Sequence, residues 1–205
     1  MTQSRAATSA GGAALLERAI SFTLGILPNV SPAAFSRPTP CREWELGQLL
    51  AHLNDSFTAL QEAIHGGQVG LSPVAGRADP AALVASLRDQ AGRLLGACAG
   101  TGGDVVSVAD CPLATSIVTC AGAVEIAVHG WDVAQASGPP RAIPPLLAEE
   151  LLLLSPLLVT DADRPVRFAA PVTAAPHASP SDRLVAFLGR RPAGKGHAPG
   201  YGRGT

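Results

Sequence analysis

Glu125 and His129 stand four residues apart in CPLATSIVTCAGAVEIAVHG, residues 111–130, and apart from cysteines they are its only ionisable side chains. A helix here would project both from one face, a turn apart. A carboxylate among apolar neighbours is costly unless a positive group offsets its lost hydration, and the segment holds no Arg or Lys. A divalent metal ion would supply that charge. A Glu followed one turn later by a His is a workable pair of ligands for it.

His52, in GQLLAHLNDSF, falls at the border of a leucine stripe beside Ser56, Ala59 and Ala63. Small neighbours let a second helix come close, so the imidazole could turn into a bundle rather than toward water. Bundles build metal sites from side chains on facing helices. His52, Glu125 and His129 would offer two imidazoles and one carboxylate, leaving positions open for water or substrate. Without a metal, His52 is a hydrogen-bonded core residue and the Glu/His pair an intrahelical contact.

Asp132 and Asp55 each follow a candidate ligand by three positions and could orient its imidazole, or sit at the surface. Arg88 and Arg93 could bind a substrate carboxylate, or belong to a solvated helix face. Trp131 could line a pocket or pack the bundle edge. Cys41, Cys98, Cys111 and Cys120 have no CxxC spacing and are expected as buried small residues rather than disulfides. His65, His177 and His197 fall in loops or tails and are expected to be exposed. No residue is assigned to catalysis or to an organic cofactor.

The elements that must position these groups follow from apolar periodicity. It predicts helices over residues 13–27, 43–64, 80–100, 113–136 and 145–154, with a last turn or two over 181–188. The second carries Leu46, Leu49, Leu50, Leu53, Phe57, Leu60 and Ile64 as one stripe and ends at Gly66-Gly67. Asp79-Pro80 opens the third as N-cap and first helical residue. Residues 101–112 read as a loop with a short extended piece at 105–108. With no confident period-2 strand, the expectation is an all-α single domain over residues 12–190, between a disordered N-terminus (1–11) and a disordered tail (191–205).

Composition narrows the function classes. Charged residues make up 15% of 205, aromatics 4%, and the net charge is −1, which is no footprint for nucleic acid or anionic lipid. Lys195 is the only lysine, and with abundant Ala, Gly and Pro this suggests a high-GC genome such as an actinobacterial one. The N-terminus lacks a basic region followed by an apolar one, so no signal peptide is expected. The Leu-rich run 142–159 is broken by prolines and two glutamates and falls short of a membrane span. A soluble cytoplasmic protein is expected. Residues 146–154 could supply a homodimer surface.

Three phrases carry a family resemblance: TPCREWELGQLLAHL (39–53), AVEIAVHGWDVAQASG (123–138) and SPSDRLVAFLGRRP (179–192). Their order and separation resemble the actinobacterial DinB-like metal-binding family related to the N-terminal domain of mycothiol-dependent maleylpyruvate isomerase. The resemblance implies a DinB-like four-helix bundle, here with a short extra helix and an irregular C-terminal segment. It also implies a divalent metal, usually zinc, on the His of the first phrase and the Glu and His of the second, which are His52, Glu125 and His129. Nickel or iron would suit the same donors. Only residues 141–205 follow Pro140, so the isomerase's additional C-terminal domain is expected to be missing, and no residue matches a thiol-cofactor contact.

The resemblance points first to a metal-dependent thiol S-transferase or isomerase, with mycothiol as the thiol that the metal activates. The alternatives are a pathway-specific lyase, cyclase, isomerase or hydrolase that uses the metal without a thiol, and a non-enzymatic, metal-dependent small-molecule binding or stress-response protein. An apolar pocket over the metal would favour the enzyme readings, and a flat or flooded site the last.

Overall fold

The computed structural model describes residues 2–41, 44–69, 79–98, 104–164 and 166–192, with side chains from Gly11 onward. Residues 193–205 of the expected tail, with His197, lie outside the described residues. Among the described residues, six α-helices and a small sheet follow in the order α1 (Thr2–Leu24), α2 (Leu46–Gly66), β1 (Gln68–Val69), α3 (Pro80–Cys98), β2 (Val105–Val108), β3 (Cys111–Ala114), α4 (Thr115–Ser137), α5 (Pro145–Leu158) and α6 (Pro180–Phe187). The chain is mostly α-helical, as a DinB-like bundle should be.

α4 is the axis of the bundle. Every residue from Gly122 to Ser137 except Glu125 and Gln135 is buried, because α1 and α2 pack on it directly and α5 covers a further side. Its mean hydropathy of 1.3 would suit a membrane span, yet 72% of that window is buried inside the bundle. An all-round apolar helix is what a core position requires. Two glycines allow the close approach. A Cβ on Gly130 would lie 2.3 Å from Thr23 Oγ1 of α1, and one on Gly122 would lie 2.5 Å from Leu60 Cδ2 of α2. Thr23 uses that proximity to donate a buried hydrogen bond of 2.9 Å to the Ile126 carbonyl.

α2 buries its predicted stripe completely at Leu46, Leu49, Leu50, Leu53 and Phe57. Each such side chain contributes about 1.5–3 kcal/mol of transfer free energy. A reciprocal capping box between Glu45 and Gln48 opens the helix, and Gly67 at φ 64° closes it. On α3, Asp79 accepts from the Ala82 amide as the expected N-cap.

Several expectations are corrected. α1 begins at Thr2, ahead of the start expected at Ala13. A three-stranded sheet is present: β1 runs parallel to β2, and β2 pairs antiparallel with β3. The extended piece at 105–108 is β2, but its partners were missed. β1 has only two residues, and β3 contains Pro112. The β2–β3 turn places Ala109 and Asp110 at φ 47° and 64°, the conformation of a two-residue hairpin loop, without the Asn-Gly that would announce it. α5 continues through Pro156 to Leu158, four residues beyond its expected end. None of the four cysteines forms a disulfide, as expected, but none is fully buried and Cys111 is exposed.

α6 ends in a Schellman motif: Arg190 N–H reaches the Val185 carbonyl at 2.8 Å and Gly189 N–H the Ala186 carbonyl at 3.0 Å. Gly189, at φ 81°, turns the chain back toward α4.

Candidate functional site

α2 and α4 face each other across His52, Glu125 and His129. Glu125 Oε1 lies 2.6 Å from His52 Nε2, 3.4 Å from His129 Nε2, and accepts a 3.1 Å hydrogen bond from Ser56 Oγ. One donor atom from each of the three lies within 4.8 Å of the others. Polar partners absent from Glu125's own segment are thus supplied from a neighbouring helix, by His52 and Ser56 of α2. Burial by itself would raise the Glu125 carboxyl. The His129 charge, the hydrogen bond and charge of His52, and the Ser56 hydroxyl outweigh it and hold the carboxyl at about 2.

His129 is held from behind. Its Nδ1 donates to Asp132 Oδ2 at 3.0 Å, which leaves Nε2 toward Glu125. Asp132 is fully buried, and Arg190 closes the chain with Nη2 at 3.0 Å from the same oxygen and Nε at 3.5 Å from Oδ1. Burial opposes the Arg190 charge, but Asp132 overcomes it and raises the guanidinium above its ordinary value. Arg190 also donates to the Leu188 carbonyl at 3.1 Å. Trp44 covers both imidazoles, its ring centroid 4.4 Å from His52 and 5.9 Å from His129. The two imidazoles meet edge to face at 5.0 Å.

The donor set suits a small divalent cation. Tetrahedral bonds of about 2.0–2.1 Å require donor atoms about 3.3 Å apart. The His129–Glu125 separation already meets that, and His52 would have to give up its direct hydrogen bond to Glu125. The fixed Nδ1–H of His129 is the outer support expected of an imidazole ligand. Cys41 brings its thiol within 4.8 Å of donor atoms of His129 and Asp132, a second potential donor group on the far side of the imidazole.

The other expected residues separate clearly. Asp132 meets His129 as its orienting acceptor, whereas Asp55 is half-buried on α2 and makes no hydrogen bond to the cluster. Arg88 and Arg93 are exposed on α3 and do not line the cavity beside the cluster, and Trp131 is buried in the core. Trp44 and Arg190 were missed. Both lie in the family phrases, but nothing local marks Trp44 as a lid on two imidazoles. Gly189 marks a helix end without saying what Arg190 would reach. His65 and His177 are exposed, as expected, but His65 belongs to the last turn of α2 and not to a loop, because that helix runs on to Gly66.

Glu125 and His129 form part of the wall of a cavity of about 570 Å³. Ala59 and Leu60 of α2, Ile117 and Ala121 of α4, and Phe168 and Leu188 of the C-terminal segment also line it.

Proteins of Mycobacterium tuberculosis described as uncharacterised, from two strains, are each 30% identical over 179 residues, covering 85% of this chain and 94% of theirs. No solved structure matches. The family model for the mycothiol maleylpyruvate isomerase N-terminal domain matches residues 16–134, which span His52, Glu125 and His129. More than half of the chain is covered, and the protein therefore belongs to the mycothiol maleylpyruvate isomerase N-terminal domain family.

Proposed function

We propose that the protein is an enzyme that holds a divalent metal through His52, Glu125 and His129 and uses it to activate a thiol, of mycothiol type, for S-transfer or isomerisation of a small molecule. The observation that carries this reading is the convergence of two imidazoles and a carboxylate from α2 and α4, with Glu125 and His129 in the wall of a 570 Å³ cavity. A cavity of that size suits a small-molecule substrate. Family membership supports the thiol, since the family's own description names mycothiol.

A divalent ion, most simply zinc, would supply Lewis acidity there and lower the proton affinity of a thiol or water. The chain's own residues do the rest. Ser56 and the two imidazoles keep Glu125 ionised as an anionic donor. Asp132, held by Arg190, fixes the His129 tautomer with Nε2 forward. Trp44 covers one side of both imidazoles against water. The activated thiol would add to an electrophilic carbon of the substrate. The outcome is a conjugate, or an isomer when the adduct rotates and expels the thiol.

A second reading, metal-dependent lyase, cyclase or hydrolase chemistry without a thiol, is favoured by the largely apolar cavity wall, which offers little to a polyhydroxylated thiol. Elemental analysis followed by titration of the cobalt-substituted protein with mycothiol decides between them. A change in the cobalt spectrum saturating below millimolar thiol supports thiol activation. An unchanged spectrum at millimolar thiol rejects it and leaves the second reading.

A further inference from the structure

The cavity beside the metal cluster is built along α4. Ile117, Ala121, Glu125 and His129 repeat every four residues, so they form one stripe, with the chemistry at one end and Ile117 at the other. Eight residues separate Ile117 from Glu125, a run of about 12 Å along the helix. Ala121, between them, is small and leaves the trough open. Val69 and Val108 from the sheet, Leu158 at the end of α5, and Phe168 face the same space. The mouth is apolar too: Leu113 and Ile117 are 36% and 49% exposed.

Few of the polar groups in this wall are free for a ligand. Ser56 donates to Glu125, and Arg190 is committed to Asp132 and the Leu188 carbonyl. Among the described residues, Arg167 is the wall's other cation, largely solvated, with Asp163 at 3.7 Å. A sugar or polyol lying in the trough would lose water hydrogen bonds without replacement. A hydrocarbon or aromatic body would lose nothing and bury apolar area.

We infer that the substrate activated at this site has an apolar body, an alkyl chain or ring system of up to about 12 Å, lying along the stripe from Glu125 to Ile117 with its reactive end at the cluster. Any polyhydroxylated partner approaches from solvent rather than occupying this trough. The claim about the body rests on the cavity, and the claim about the reactive end rests on the metal reading proposed above.

The test uses straight-chain hydroxamates, from acetohydroxamate to decanohydroxamate, titrated calorimetrically into the full-length protein with its metal content measured. Affinity should tighten about fourfold with each added methylene and level off at roughly eight carbons, where the tail passes Ile117. Ala121→Phe, at an exposed position, should flatten that dependence and leave acetohydroxamate within twofold of wild type. Ile117→Asp, a second block at the mouth, should weaken only the long members, by about tenfold.

If acetohydroxamate binds stoichiometrically with the metal but longer chains gain nothing, the apolar-body inference is overturned and the metal reading stands. If hydroxamates do not depend on metal while a series of straight-chain alcohols still tightens with length, the metal reading fails and the trough assignment holds. A chain-length gain that survives both variants places the tail elsewhere and overturns the inference.

Discussion

Arg190→Met removes the guanidinium while keeping most of the side-chain volume, and it leaves the Asp132 carboxylate buried without its cation. At 3.0 Å the pair attracts with roughly 5 kcal/mol at an effective dielectric of about 20. Breaking a buried pair by removing one partner costs about 3–5 kcal/mol, because the remaining charge is uncompensated. Asp132 is fully buried and Arg190 is 8% exposed, so little solvent is at hand to take over. The expected loss is therefore about 3–5 kcal/mol, a large share of the roughly 5–15 kcal/mol typical of a domain. Urea unfolding of the metal-free protein reads it directly. With a slope of about 2 kcal/mol per molar, the midpoint should fall by about 1.5–2.5 M. Asp132→Asn combined with Arg190→Met should recover part of the loss, since no buried charge is then unpaired. Metal affinity, measured by chelator competition, should drop about 10–100-fold in the single variant as His129 loses its fixed orientation. A stability loss under about 1 kcal/mol would refute the reasoning, because water entering from the cavity would then be solvating Asp132 as well as Arg190 does.

His52→Ala should reduce metal content by elemental analysis from one equivalent to near zero, and unchanged stoichiometry would remove His52 from the site. Gly130→Ala should destabilise by about 1–3 kcal/mol in urea, since its Cβ meets the stiff, hydrogen-bonded Thr23 at 2.3 Å. Gly122→Ala should cost less, because the obstacle is the mobile end of Leu60 and alanine favours the helix. Gly189→Ala should lose about 1–2 kcal/mol from its left-handed backbone, with more from a Cβ placed 2.7 Å from the Ala169 carbonyl. Because the Glu125 carboxyl is depressed, its contribution to the metal-free protein is present above its ordinary value of 4.5 and is lost as pH falls toward about 2. Acid titration of stability across that window should be steeper for wild type than for Glu125→Gln, and equal slopes would contradict the assignment.

The helices were legible because burial imposes a period on them. The leucine stripe of α2 and the continuous apolar run of α4 mark a packed face and a core axis, and Gly67 and Asp79 mark ends whose backbone groups need a partner. The sheet was not legible. Two- and four-residue strands are too short for a period to show, and the hairpin turn uses Ala109-Asp110, a pair without a strong turn preference.

By itself the sequence determined that a carboxylate and an imidazole share one face of an apolar helix, and that this placement demands a compensating charge. It also supplied His52 as a partner on a second helix. Which groups complete the arrangement was decided by tertiary structure alone. Trp44 covers the imidazoles from outside α2, and Arg190 reaches Asp132 across 58 positions of chain through a left-handed turn at Gly189. Asp55 and Asp132 have the same spacing from a histidine, and only Asp132 points into the bundle. Local spacing sets which side chains can be neighbours on one helix, but the partner across the core depends on how the helices pack, and no short-range pattern encodes that.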